Sequence, residues 1–373
     1  MTAPTGLADV RQRMHALGAN HEHVAHLLRA WLHARSFDNG RRRLEHFLPK
    51  RVRDALPELG RELAACAGVL AEHPASDGSS RMLVALHDGQ TVESVLLPPR
   101  EGARGAHGLC VSTQVGCAVG CIFCKTGEGG LARQMSSAEI AAQLALARTR
   151  RAVNKVVFMG MGEPAHNLDA VLEAIDAMGR EGGIGHKNIV LSTVGDARLF
   201  EHLAARGAGA VRPALALSLH STDDTKRAAL LPRAPRIAVA ALVGEAERYA
   251  RASGYPLQIQ WTLIDGVNDG DDEVDALVAL LRGRFSVLNM IPFNRIDGSA
   301  YRRPPQARTD AIFHALNRRG VLTRMRRSAG QDIDAGCGQL RSRAVSGEAV
   351  VTMRHAPRGH AWLACAGAGT QDR

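Results

Sequence analysis

The order of apolar segments predicts an α/β fold: a full or partial (βα) barrel preceded by a small helical domain. Three observations carry this expectation. From about residue 108 onward, short apolar runs alternate six times or more with amphipathic stretches of helical period, the pattern of a parallel sheet covered by helices. No glycine-rich dinucleotide turn interrupts the repeats, which favours a barrel with its site at the C-terminal ends of the strands. The first 65 or so residues, by contrast, carry apolar positions only at helical spacing, through HVAHLLRAWLHA and RVRDALPELGRELAAC.

Taken in order, residues 1–75 read as a helical accessory domain. Between its apolar stretches lie Arg41, Arg42 and Arg43, then Lys50, Arg51 and Arg53, which fit either a solvated helix face or a nucleic-acid grip. HPASDGSSR (73–81) is rich in breakers and marks a boundary. Residues 76–102 form a linker region in which alternating runs flank Asp88-Gly89, a hairpin signal. The core spans 103–345. Its expected strands are GLCVSTQV (108–115), KVVFMG (155–160), NIVLSTV (188–194), ALALSLH (214–220), LQIQWTLI (257–264), VLNMIPF (287–293) and a weaker VLTRM (321–325). Helices separate them, from SAEIAAQLALART to ARTDAIFHALNRR. The tail, 346–373, has little periodicity and is expected to pack loosely.

The chain has 373 residues, 45% hydrophobic and 23% charged, enough for a sizeable core and unlike a disordered protein. It shows neither an apolar run long enough to span a membrane nor a secretion signal, so the expected address is the cytoplasm. A formal charge of +10 favours a polyanion, nucleic acid before lipid, although solubilising charge explains many basic proteins equally well. Seven cysteines, an odd number with three inside eight residues, argue against a disulfide framework and for metal or redox chemistry.

Those three are Cys117, Cys121 and Cys124, spaced C-x3-C-x2-C directly after an expected strand. Three thiolates in one short loop can hold three irons of a 4Fe-4S cube and leave the fourth open to a ligand. A structural zinc site would normally be closed by a fourth Cys or His, and the nearest histidine, His107, lies before the strand and not in the loop. In MGMGEP, Gly160 and Gly162 leave backbone uncrowded at a strand end, which suits either a ligand cradle or an ordinary β-α turn. Ser192, Ser218, Leu219, His220 and Asn294 also fall at strand ends, each alone as fit for a cap as for a ligand contact.

VESVLLP, LCVSTQVGC, FCKTG, MGMGEPAHN, LSTVG, SLHS, NMIPFN and DIDAGCGQL follow one another in fixed order from about Glu93 to Leu340. In this the chain resembles the RlmN/Cfr branch of the radical S-adenosylmethionine (SAM) enzymes, which are RNA adenosine methyltransferases. The N-terminal region resembles that family's RNA-binding domain only loosely. The resemblance implies a 4Fe-4S cluster on Cys117, Cys121 and Cys124. It implies SAM contacts from Gly162, Glu163, Ser192, Ser218, Leu219, His220 and Asn294.

The resemblance also gives roles to two cysteines outside the loop. Cys337 would be methylated by one SAM, a displacement a thiolate can perform. A second SAM would yield the 5′-deoxyadenosyl radical that activates the S-methyl group toward adenine carbon 2 or carbon 8, ring carbons too electron-poor to attack a methyl cation equivalent. Glu93 would take the ring proton, and Cys110 would attack the sulfur of Cys337, leaving a transient disulfide. Residue chemistry alone would read Cys110 as a buried small hydrophobe and Glu93 as solvent-facing. Cys66 and Cys365 match no motif. The implied partners are RNA, ribosomal (23S) before transfer RNA, and an electron donor such as flavodoxin; the chain is expected to act as a monomer. With 4% aromatic residues, RNA would be gripped by arginine and backbone charge more than by aromatic stacking. Other readings of the residues are a radical SAM enzyme acting on a peptide and a non-catalytic zinc-containing RNA-binding protein.

Overall fold

The computed structural model describes residues 6–38, 43–99 and 105–342. Arg41, Arg42, the tail 346–373 and its Cys365 lie outside the described residues. Four helices come first, α1 (Leu7–Ala16), α2 (His21–Leu32), α3 (Leu44–Phe47) and α4 (Lys50–Ala65). Asn20 and His23 cap the start of α2 reciprocally, satisfying two backbone donors that would otherwise lack partners. The apolar face of α2, with Leu27, Leu28 and Trp31, is buried. This module rests on the helices of the main sheet, where Ser137 Oγ accepts from Leu7 N at 2.8 Å and Arg148 donates to the Leu32 carbonyl at 3.0 Å.

His33 sits at that junction. Burial, then the charges of Arg148, Arg35 and Arg29, push its pKa down to about 4. An unfolded histidine titrates near 6.5. Between those two values the unfolded chain therefore binds a proton that the folded chain refuses, and stability falls as pH drops from about 6.5 toward 4. Replacing His33 by Gln should flatten this acid limb of a pH-dependent denaturation midpoint and leave the midpoint above pH 7 unchanged in slope.

Residues 67–74, read from the sequence as the end of the helical segment, form a strand instead, β1 (Ala67–Pro74). The α4 helix runs into it with only Cys66 between, so no breaker announces the change. Cys66 is buried, its thiol donating to the Glu62 carbonyl at 3.4 Å, a structural cysteine. The expected hairpin follows as β2 (Ser80–Leu86) and β3 (Thr91–Pro99), joined through Asp88 and Gly89, whose φ of +83° suits glycine. Arg133 pins the hairpin tip by pairing with Asp88 and Glu139, and holds the Asp88 carboxyl at about 2.

Next come β4 (His107–Cys110), β5 (Gln114–Gly116) and β6 (Leu131–Gln134), so the expected strand 108–115 is split in two. The remaining strands are β7 (Val153–Phe158), β8 (Ile189–Thr193), β9 (Ala214–Ser218), β10 (Leu257–Leu263), β11 (Ser286–Pro292) and β12 (Thr323–Met325). The helices between them are α5 (Ser137–Arg148), α6 (Leu168–Arg180), α7 (Ala197–Ala204), α8 (Asp224–Leu230), α9 (Val239–Ser253), α10 (Asp271–Leu281) and α11 (Gln306–Arg318). One sheet runs β1-β2-β3-β4-β7-β8-β9-β10-β11-β12, antiparallel up to β4 and parallel from there on, while β5 and β6 pair separately. The sheet has two edges, β1 and β12, so of the two expectations the partial barrel is the one formed. Its curvature shows in the cavity on its inner face, which side chains from β3, β4, β7, β10 and β12 line together.

Candidate active site

The cluster-type loop is the tip of the β5–β6 hairpin. Gly116 (φ +81°) turns the chain where a side chain would strike the Gly130 carbonyl, and Cys117 N donates to that same carbonyl at 2.8 Å, closing the base of the loop. Gly120 and Gly127 pack backbone to backbone inside it. Cys117 is buried, and Cys121 and Cys124 are partly so. Burial lifts all three thiols, Cys117 to about 11 and Cys121 well above its ordinary value, and neighbouring cysteines lift Cys117 and Cys121 further. Such a set is poorly suited to free thiolates and well suited to sulfur ligands neutralised by a cation. Among the described residues no three metal-ligating side chains meet around one point as a single ion needs. A cube of four irons takes its thiolates on separate irons, so the spread is compatible with it.

The segment carrying Cys337 docks on this loop. Lys125 N donates to the Gly338 carbonyl at 2.7 Å, and Thr126 Oγ1 to the Leu340 carbonyl at 2.7 Å. The flanking glycines follow from the fit: a side chain on Gly338 (φ +80°) would stand 2.6 Å from the Phe123 carbonyl, and one on Gly336 2.8 Å from Asn294 Nδ2. Asn294 Nδ2 donates to the Cys337 carbonyl at 3.0 Å and to Ser328 Oγ at 2.7 Å. Asn294 thus positions the Cys337 backbone, a duty the sequence reading did not assign to it. Ser328 and Arg326 were missed as well; burial raises the Cys337 thiol, and these two act against the rise. Cys337 opens onto a cavity of about 550 Å³ that Cys110 and Cys124 also line, and the enclosing walls of that cavity desolvate its thiol. Cys110 is buried, and its thiol is raised by burial and then by Cys337. Lys155, Gln258 and Gln260 complete the polar lining from β7 and β10.

Glu93 is not solvent-facing. It lies wholly buried on β3, on the face shared by Val95, whose cross-strand partner is Cys110. Its carboxylate pairs with Arg81, also buried, and accepts from Arg341 N at 2.9 Å. Burial raises its pKa while Arg81 opposes the rise. Ser112 ties the strand to the barrel, its Oγ donating to the Glu93 carbonyl at 2.6 Å and accepting from Met161 N at 2.9 Å.

Around the strand ends, Gly162 (φ +102°) lies so close to Gln114 that a side chain would stand 2.6 Å away. The Glu163 carboxylate is engaged within the chain, accepting from Thr193 Oγ1 (2.6 Å), Val194 N (2.9 Å) and Ala165 N (3.0 Å). Any ligand contact from Glu163 therefore falls to its backbone. Ser192 and Ser218 are half-buried on the cavity side of β8 and β9, Ser218 in register with Gln260. Leu219 is fully buried. His220 adopts a φ of +63°, accepts from Thr262 N at 2.9 Å and packs edge-on against Phe123 of the cysteine loop; burial and Arg227 lower it to about 3, so it is neutral.

A family model of the radical SAM superfamily matches residues 111–279. A "probable RNA methyltransferase" of Methylibium petroleiphilum is 61% identical over 341 residues, covering 91% of this chain and 94% of its own. Another from Pseudomonas aeruginosa is 58% identical over 343 residues, covering 91% and 96%. The chain belongs to the RlmN/Cfr-like radical SAM methyltransferases. The crystal structure of a radical SAM methyltransferase from Sphaerobacter thermophilus agrees: 32% identity, a TM-score of 0.78, and coverage of 92% of this chain and all of that one. Membership of the radical SAM enzymes brings a 4Fe-4S cluster and SAM as cofactors. Among the described residues no helix is long and apolar enough to cross a membrane.

Proposed function

We propose that this enzyme methylates carbon 2 or carbon 8 of an adenosine in RNA, with large-subunit (23S) ribosomal RNA as the substrate, through a methylated Cys337. RNA as substrate is supported by the naming of the full-length relatives. The observation that carries the mechanism is the meeting of Cys110, Cys337 and Cys124 in one cavity, although 227 residues of sequence numbering part the first two.

Cys117, Cys121 and Cys124 hold the cluster, and Gly162, Glu163, Ser192, Ser218, Leu219, His220 and Asn294 surround SAM, Glu163 and Leu219 through backbone. When bound, cluster and SAM supply a 5′-deoxyadenosyl radical, with the electron coming from a donor such as flavodoxin. Cys337 carries the methyl group, with Asn294 fixing its backbone and Arg326 and Ser328 favouring the thiolate that first accepts it. Glu93 accepts the proton that leaves the adenine carbon, its raised affinity for that proton coming from burial. Cys110 then attacks the sulfur of Cys337: a sulfur–sulfur bond forms as the bond from that sulfur to the methylene breaks. The departing carbon keeps the electron pair and takes up a proton to become the methyl group of the released RNA, and a cellular thiol reduces the disulfide.

Mass mapping of nucleosides in ribosomal and transfer RNA from cells with and without the protein tests the reading and separates the two carbons. One methylated adenosine should vanish in the deletion and return with the wild-type chain but not with Cys337→Ala. Loss of no modified adenosine, or a colourless protein with stoichiometric zinc after anaerobic purification, would remove the proposal.

A further inference from the structure

Six arginines that are scattered in sequence stand in two groups on either side of the Cys337 segment. Arg324, Arg326 and Arg327 line the 550 Å³ cavity, whereas Arg295, Arg302 and Arg303 line a neighbouring cleft of about 700 Å³. All six are exposed. None of the six takes part in an ion pair among the described residues; Arg303 donates to the Phe293 carbonyl at 3.0 Å, to Asn294 Oδ1 at 3.4 Å and to Gln331 Oε1 at 3.3 Å. One side chain, Asn294, separates the groups: its Oδ1 accepts from Arg303 and its Nδ2 reaches Ser328, next to Arg327, and the Cys337 carbonyl. The half-buried Tyr301 also lines the cleft. Acidic side chains there are Asp297 and Asp334, the former 4.0 Å from Arg341 and the latter accepting from Gln339.

We propose that a single RNA strand crosses the barrel mouth between these two groups. The phosphates on one side of the target nucleoside lie on Arg324, Arg326 and Arg327, those on the other side lie on Arg295, Arg302 and Arg303, and the target base turns into the cavity toward Cys337. This deepens the reading above and rests on RNA being the substrate. The physical reason is that an extruded base needs its two flanking phosphates held, and exposed cations without acidic partners hold them best. Arg303 additionally links an occupied cleft to the backbone of the methyl-carrying residue through Asn294. The track belongs to the barrel itself, independent of the basic run in the N-terminal module.

The test is the salt dependence of binding, by fluorescence anisotropy, of a labelled 12-nucleotide RNA with one adenosine amid uridines to the anaerobically purified holoenzyme. Two double variants, Arg295→Gln with Arg302→Gln and Arg324→Gln with Arg327→Gln, are compared with a control double, Arg248→Gln with Arg319→Gln, on the outer helices. Each lost phosphate contact lowers the log-log salt slope by about 0.7. Each track double should therefore lose about 1.4 from the slope and about twentyfold in affinity at 0.1 M salt, with iron content unchanged, while the control binds as wild type. Wild-type slopes in both track doubles, or an equal loss in the control, would overturn the track and leave the RNA reading standing. If the wild-type enzyme itself does not bind the oligonucleotide, both fall together.

Discussion

Replacing Cys110 by alanine should halt the enzyme with its RNA covalently attached through Cys337. Cys110 and Cys337 face the same cavity, and the Cys110 thiol is buried and held protonated, so it has no evident task until a sulfur partner is presented to it. Once the methylene on Cys337 is bonded to adenine, release needs a second sulfur to attack the first. Without it the adduct accumulates. On denaturing gels the Cys110→Ala protein, expressed in cells, should migrate with nuclease-sensitive RNA, and digestion should leave a nucleoside mass on the Cys337 peptide. The additional change Cys337→Ala should abolish this species entirely. Serine at 110 should trap as alanine does, since a hydroxyl cannot form a disulfide. Continued turnover by Cys110→Ala with no adduct would refute the pairing.

The second large effect concerns Arg81 and Glu93. Breaking a buried ion pair by removing one partner costs about 3–5 kcal/mol, because the remaining charge is stranded away from water. Arg81→Met should therefore lower stability by about that much, read as a shift in denaturant midpoint, since Glu93 is wholly buried. Replacing both by Met should restore most of the loss, because well-packed apolar residues often serve stability as well as a buried pair does. That contrast carries the meaning: on the proposed mechanism the arginine is kept to hold in place an acid that the chemistry would use. A single Arg81→Met variant as stable as wild type would show that the pair is not what keeps Glu93 in place.

Much of the fold was legible in the chain because its strands are apolar on both faces and end in polar residues, so NIVLSTV or VLNMIPF announces a strand and the end at which a ligand is proposed to sit. The triple-cysteine loop was legible from spacing alone. The β1 strand was hidden because α4 enters it without a turn residue, and β6 because Leu131–Gln134 is short, half-charged and largely exposed. Glu93 was misjudged on residue chemistry because its partner is twelve positions away on another strand, and only the register of the hairpin brings the two diagonally together. The +10 charge could not be located from composition. Arginines at 295–303 and 324–327 come to line neighbouring cavities only once the chain that follows β11 and the chain that follows β12 are brought together by the pairing of those strands.

The antiparallel extension β1–β3 has an implication for how responsibility is divided in the molecule. The cluster loop and the strand ends belong to the repeating β-α wall, whereas Glu93 sits on a strand annexed to that wall's first edge through β4. On the proposed mechanism, radical generation and proton removal would be housed in separable parts of the architecture. A shortened chain that began at β4 would keep every proposed ligand of the cluster and of SAM while forfeiting the acid, and it would be expected to cleave SAM without finishing a methyl transfer.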